Sequence, residues 1–208
     1  MWAIVPVKPL RRSKSRLAGA LTPAERAGLS EELLRRTLDV IRSVSGVVAT
    51  LVVSRDGRAL ALARRHGARG LAESGGGRLN AALSRATDLA RRGGAASVLV
   101  LPADLPLVDR ADVEGLIAAL GMAPALVIAP DRRGQGTNAL VVSPPGLIEY
   151  EFGPESFRRH VEAAHRVGAR LAVCQRPGLG FDLDIPEDLA RLPAARRTLS
   201  EARRHDVP

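Results

Sequence analysis

The sequence predicts a single-domain, three-layer α/β/α sandwich around a mostly parallel central sheet. Three observations carry that expectation. Strand-like and helix-like segments alternate along the chain. The strand-like segments are continuous apolar runs, such as VVATLVV (47–53) and VLVL (98–101), which suits strands covered on both faces. The 208 residues, 46% of them hydrophobic, also suffice for one well-cored domain, whereas two halves would each be small. We expect that domain over residues 1–192, with a basic tail over 193–208.

Each element has its own local signal. WAIVPV (2–7) reads as the first strand, followed by a polar basic loop from Lys8 to Gly19. Thr22 caps the next helix, Pro23 takes its first position, and Glu25 completes a capping box. Leu29, Leu33, Leu34, Leu38 and Ile41 give that helix one apolar face. Gly46 turns the chain into strand 47–53. A short helix around 59–65 and a weak strand near 69–72 follow. The Gly-rich turn SGGG (74–77) precedes a helix with Leu79, Ala82, Leu83 and Ala86 on one side. VLVL then leads through a turn at Asp104 into a helix carrying Val113, Leu116, Ile117 and Leu120. ALVIAP (125–130) and ALVVS (139–143) bracket the polar loop DRRGQGTN. A helix from about Pro154 to Val167, the strand LAVC (171–174), the turn GLGFDLD and a helix from Pro186 close the domain.

Composition excludes several functions. No apolar run approaches the roughly 18 residues of a membrane span. The N-terminus lacks the basic region of a secretory signal, and the single cysteine, Cys174, permits no internal disulfide, so a reducing cytoplasm fits. The net charge of +9 invites a nucleic-acid reading, but the arginines are spread over every helix. Three Phe, one Tyr and one Trp also cannot form a base-stacking platform. We therefore expect no nucleic-acid partner and no membrane partner. Of the 31 basic residues only Lys8 and Lys14 are lysines, both in the loop after the first strand, where compact ammonium charges suit a polyphosphate.

Open parallel sheets bind ligands outside the carboxyl ends of their strands. There the chain concentrates its unusual residues. The loop after the first strand carries Lys8, Arg11, Arg12, Lys14 and Arg16 with the hydroxyls of Ser13 and Ser15, yet matches neither GxGxxG nor GxxxxGK[ST]. In the loop 73–80, glycines such as Gly75 and Gly76 permit close backbone approach to a flat ligand, and Asn80 suits a nucleobase or ribose edge. Asp104 stands between Pro102 and Pro106, which stiffen the turn that presents it. Asp182 and Asp184 alternate as strand residues do, and Asp184 is either a metal ligand or a cap for the helix at Pro186. Acidic turns at different strand ends suit Mg²⁺, which takes the rest of its shell from water and phosphate. His66, His160, His165 and His205 lack metal-ligand spacing and read as surface helix residues. Thr137, Gly153 and Ser156 together suit a carboxylate or phosphate at a helix N-terminus, with capping alone as the other reading of Ser156.

In this order VPVKP with KSRL, SGGGRLNAAL, LPADLPL, GTNAL, FGPESFRRH and GLGFDLDIPEDL resemble the CofC/FbiD guanylyltransferases, over about residues 2–192. These belong to the MobA-like nucleotidyltransferases, of the nucleotide-diphospho-sugar transferase fold. The Gly-rich LAGGxSxRM loop of MobA is replaced by the basic loop, as in this family. The resemblance implies transfer of GMP from GTP to phosphoenolpyruvate or 2-phospho-L-lactate, release of pyrophosphate, and a precursor of coenzyme F(420). It implies that Asp104 and Asp182 hold two Mg²⁺ ions. It assigns Thr137, Gly153 and Ser156 to the phosphorylated acid, Lys8, Lys14 and Arg16 to the triphosphate, and the 75–80 loop to the guanosine. Lys8, Lys14 and Asp104 would form the catalytic set, and Arg158 and Arg159 are further candidates for the acid. Competing readings are 3-phospho-D-glycerate as acceptor, another MobA-like nucleotidyltransferase, and a non-catalytic nucleotide-binding regulator. A homodimer is common among small enzymes of this fold.

Overall fold

The computed structural model describes residues 1–73 and 79–192. The turn 74–78, with Gly75 and Gly76, and the tail from 193 lie outside the described residues. So does His205.

Seven strands form one sheet in the order β3-β2-β1-β4-β6-β5-β7. They are β1 (Trp2–Val7), β2 (Ala49–Ser54), β3 (Arg69–Ala72), β4 (Val98–Val100), β5 (Ala125–Pro130), β6 (Thr137–Ser143) and β7 (Arg170–Val173). The main helices are α1 (Pro23–Arg42), α2 (Gly57–Arg65), α3 (Leu79–Arg92), α4 (Arg110–Ala119) and α5 (Ser156–Arg166). Two short ones, α6 (Pro177–Gly180) and α7 (Pro186–Arg191), follow β7. All neighbouring strands are parallel except β6, which is antiparallel to β4 and to β5. The expected three-layer sandwich is therefore present.

Alternation along buried strands feeds two separate cores. Ala3, Val5, Val52, Leu99, Val127 and Val141 face the helices α1, α2 and α4. Trp2, Ile4, Leu51, Val98, Leu126 and Leu140 face α3 and α5. The period-two pattern sends successive residues of the same strand to opposite layers. Helix α1 starts as its sequence predicts: the Thr22 N–H donates to Glu25 Oε2 at 2.8 Å, and the Glu25 N–H donates back to Thr22 Oγ1 at 3.3 Å. A third, small cluster of Leu33, Leu183 and Leu192 packs the chain around α7 against α1.

Most boundaries shift by a residue or two, and three differences bear on the site. Strand β6 begins at Thr137, before the apolar run, because two polar residues extend the ladder. A register shift opposite Ala129 and Pro130 accommodates Asn138. The segment GLGFDLD contains the helical turn α6 and then irregular chain, so Asp182 and Asp184 do not sit at a strand end. Helix α5 begins at Ser156 after Glu155, whose left-handed backbone (φ 55°) reverses the chain direction.

Candidate active site

The sheet order aligns the carboxyl ends of β3, β2, β1 and β4 along one edge. Because β6 runs backwards, its first residue, Thr137, arrives at that same edge. Two clefts open there. One, of about 420 Å³, is bordered by Ser13, Arg55, Glu73, Pro102 and Asp104. The other, of about 680 Å³, is bordered by Arg16, Gln135, Gly136, Gly153 and Glu155. Lys8, Arg12, Lys14 and Asp184 line both clefts. Three cations and a carboxylate thus form the partition between two chambers.

The basic loop is shaped by what it buries. Leu10 and Leu17 are buried and anchor short 3₁₀ turns on either side of Lys14. The Leu10 N–H donates to Asp56 Oδ2 at 2.8 Å, tying the loop to the start of α2. Lys14 itself has φ 54°, a left-handed conformation costing an ordinary residue of order ~1 kcal/mol or more. Lys14 and Glu155 are the non-glycine residues of positive φ among those described, and both line the second cleft. The Lys14 side chain is only 5% exposed and lies 3.6 Å from Asp104 Oδ2.

Asp104 sits in a turn whose flanks, Leu101, Leu105 and Val108, are buried, leaving its own side chain 42% exposed. The Leu183 N–H donates to the Asp104 carbonyl at 3.0 Å, which fastens the two acidic turns together by their backbones. Asp182 is held above the usual carboxylate range, first by burial and then by the charges of Asp104 and Asp184, against a weaker pull from Arg132. Asp184 does not cap α7. Its carboxylate pairs with Arg16 Nη1 at 2.6 Å, while Asp188 accepts the N–H groups of Asp184 and Ile185, each at 2.9 Å. Arg132 pairs with Asp188 at 2.6 Å and stacks over Phe181, 5.2 Å from the ring centre. Burial opposes the Asp188 charge, but those N–H groups and Arg132 hold its carboxyl below the usual range.

Asp104 and Asp182 are hard oxygen donors whose two turns are fastened together, Asp104 beside Lys14 and Asp182 crowded by carboxylates, a donor set that fits Mg²⁺. Among the described residues no group of three or more His, Cys, Asp or Glu side chains is placed to hold a metal by itself. The protein would therefore supply a minority of the ligands.

The other chamber is backed by neutral hydrogen bonds. Ser156 is the first residue of α5, not its cap, and its Oγ accepts the Thr137 N–H at 2.9 Å. The Phe157 N–H donates to the Gln135 carbonyl at 3.0 Å, joining α5 to the loop before β6. Gly153 has φ 136°, a backbone region open to glycine. Asn80 clasps Phe152 with both ends of its amide: Nδ2 donates to the carbonyl (3.2 Å) and Oδ1 accepts the N–H (2.9 Å). The expected base-reading amide is thus committed, in part, to joining α3 to the 152–155 loop. Arg158 pairs with Glu162 on the exposed face of α5, and Arg159 donates to the Pro154 carbonyl. His160, expected on the surface, is fully buried. Its Nδ1 lies 3.0 Å from Thr137 Oγ1, and its Nε2 accepts the Glu151 N–H at 3.0 Å. Burial, and then the Arg159 charge, lower its pKa to about 4. It is a neutral imidazole.

Comparison with known proteins decides the family. The family model described as "Guanylyl transferase CofC like" matches residues 1–194. The chain belongs to that family. It is 50% identical over 195 residues to a phosphoenolpyruvate guanylyltransferase of Rubrobacter xylanophilus, covering 94% of each chain. It is 41% identical over 190 residues to one of Sphaerobacter thermophilus, covering 91% of each. Among solved structures it resembles a putative nucleotide-diphospho-sugar transferase of Desulfovibrio desulfuricans, with TM-score 0.75 and 17% identity. That likeness covers 97% of this chain and 89% of the other and speaks to the fold.

Guanylyl transfer in the CofC-like family joins two anions, and this site keeps cations between its chambers. The sequence placed Arg12 in the basic loop without giving it a role, yet it lines both clefts, and sequence reasoning did not identify the Arg55–Glu73 pair (3.3 Å) bordering the first. It also missed His160 and the Asp188–Arg132 pair. The one signal for His160 was its place in FGPESFRRH: it lies four residues after Ser156, hence on the same helix face.

Proposed function

We propose that this family member transfers GMP from GTP to phosphoenolpyruvate and releases pyrophosphate, giving the enolpyruvyl-diphospho-5'-guanosine precursor of coenzyme F(420). The observation that carries the reading is the cationic partition of Lys8, Arg12 and Lys14 shared by two clefts. Such a partition suits two anionic substrates that must meet. The names of the relatives favour phosphoenolpyruvate over 2-phospho-L-lactate or 3-phospho-D-glycerate as the acid.

In this reading the first cleft takes the nucleotide and the second the acid. Thr137, Gly153 and Ser156 receive an oxyanion of the acid beside the N-terminus of α5, an 11-residue helix whose dipole favours negative charge. A phosphate oxygen of the acid, already ionised at neutral pH, attacks the α-phosphorus of GTP. The bond to the β-phosphate breaks, and its electron pair leaves with pyrophosphate. No general base is required. Lys8 and Lys14, with Arg16 at the rim, offset the repulsion of the approaching anions and the charge growing on the leaving group. Asp104 and Asp182 would hold Mg²⁺, which supplies further charge neutralisation at the phosphates when bound. Asp184, paired with Arg16, is a weaker candidate ligand. No helix among the described residues is long and apolar enough to cross a membrane, and a cytoplasmic setting fits the single, half-buried cysteine.

The test is pyrophosphate release with Mg²⁺, each of the four nucleoside triphosphates and each of the three acids. Release with GTP and phosphoenolpyruvate alone is expected. Silence with every pair would favour the nucleotide-binding regulator, and release with another base or acid would reassign the substrate.

A further inference from the structure

The buried imidazole of His160 lines neither cleft, and it stands directly behind Thr137, the buried residue that follows Gly136 of the second cleft. Its tautomer is dictated by the backbone. The Glu151 N–H is a donor and nothing else, so Nε2, 3.0 Å away, must be the unprotonated nitrogen. The ring is neutral, with its pKa pushed down to about 4, so its one proton lies on Nδ1. Nδ1–H therefore donates to Thr137 Oγ1 at 3.0 Å. A hydroxyl that accepts in this way keeps its own hydrogen for another acceptor. With the opposite tautomer, Thr137 would spend its hydrogen on Nδ1 and offer only lone pairs, which repel an anion. Ser156 shows the same polarity, because its Oγ accepts the Thr137 N–H.

We propose that His160 is a positioning residue for the acid substrate: with the Glu151 N–H it forces the Thr137 hydroxyl to act as a donor toward the oxyanion. The proposal rests on the reading that Thr137 binds the acid. A relay of fixed direction runs from the Glu151 N–H through the imidazole to the Thr137 hydroxyl and on to the ligand. The Phe152 ring, edge-on to His160 at 5.0 Å between centres, packs against the imidazole.

Two substitutions separate the nitrogens. Asn places an amide N–H where Nδ1 stands and leaves Nε2 empty. Gln reaches the Nε2 position and leaves Thr137 without its donor. In the full-length enzyme, His160→Asn should hold KM for phosphoenolpyruvate within about threefold of wild type, whereas His160→Gln should raise it about tenfold, the scale of one hydrogen bond to a charged group. KM for GTP should move in neither. In a Thr137→Val background, His160→Gln should add less than about twofold to that KM, because its target is gone. Equal KM values in the two His160 variants, or a shift confined to GTP, would overturn the role of His160. Thr137→Val with wild-type KM for phosphoenolpyruvate would instead overturn the assignment of the cleft. Should the variants fail to fold, ¹⁵N NMR of the wild-type imidazole decides: an Nδ1–H tautomer whose signal shifts on adding phosphoenolpyruvate is expected, and an Nε2–H tautomer overturns the proposal.

Discussion

Asp104, in the turn after β4, and Thr137, the first residue of neighbouring β6, stand at the same sheet edge in opposite surroundings. Around Asp104 the groups are charged: buried Lys14 faces the part-exposed Asp104, Arg16 faces Asp184, and Asp182 is crowded by two carboxylates. Around Thr137 they are neutral and buried: an imidazole, two hydroxyls and backbone N–H groups. Charges at the first place can exchange partners when ligands arrive. Hydrogen bonds at the second are settled before the ligand comes. A phosphate-rich, metal-bearing ligand profits from the former, and a small acid that must be told from near copies profits from the latter.

The largest effects should come from the charged side. Asp104→Asn and Asp182→Asn should each lower kcat by roughly 10²- to 10³-fold, measured by pyrophosphate release. Asp182→Asn should not lower the melting temperature, because it removes a carboxylate crowded by two others. Asp104→Asn should lower it by roughly several degrees, because it leaves the buried Lys14 ammonium without its ion pair. Wild-type turnover in either variant would end its assignment to the metal. Next in size, Lys14→Ala should raise KM for GTP about tenfold and KM for the acid by less. The reverse order would mean that the basic loop serves the acid.

The neutral side should show itself in pH dependence. Unfolded, His160 titrates near 6.5; folded, near 4, because burial and Arg159 disfavour its cation. Its contribution to stability is therefore complete above 6.5 and is lost as the pH falls toward 4, by roughly 3 kcal/mol in all. Asp182, whose carboxyl is raised, works the other way, since the folded form takes up its proton first. Urea melts of wild type against His160→Asn isolate the histidine, and the variant should lose most of that acid slope. Thr137, the Glu151 N–H, the Phe152 ring and the Arg159 cation are the groups that act on it. The smallest effect should be Arg16→Ala. Its pair with Asp184 is exposed, 72% on the arginine side, so the melting temperature should move by less than about 2 °C.

The legible parts of the sequence were those governed by local rules. Thr22, Pro23 and Glu25 announced α1, and the apolar runs announced a covered sheet. Asp104 and the lysine pair stood out because proline spacing and the scarcity of lysine are visible in a string. Long-range pairing was not visible. Nothing near Asn80 says that its amide meets Phe152, and nothing near Asp184 says that Arg16 lies beside it rather than a helix N-terminus. His160 was misjudged as a surface residue because helix α5 is polar on most sides. Only the arrival of Thr137 on the reversed β6 shows which face is covered. Gly75 and Gly76 lie outside the described residues, so the sequence alone speaks for them.

The reversed strand also shapes how such an enzyme can diversify. Thr137 and Ala139 are stitched into the ladder with β5, while the six residues from Asp131 to Gly136 lie outside it, held to the rest of the fold by Arg132 and the Gln135 carbonyl. Insertions between Arg132 and Gln135 would widen the second cleft, the one proposed for the acid, and leave the ladder untouched. On the proposed assignment, a lineage could therefore retailor its acceptor by changing a hairpin, with the parallel strands next door unchanged.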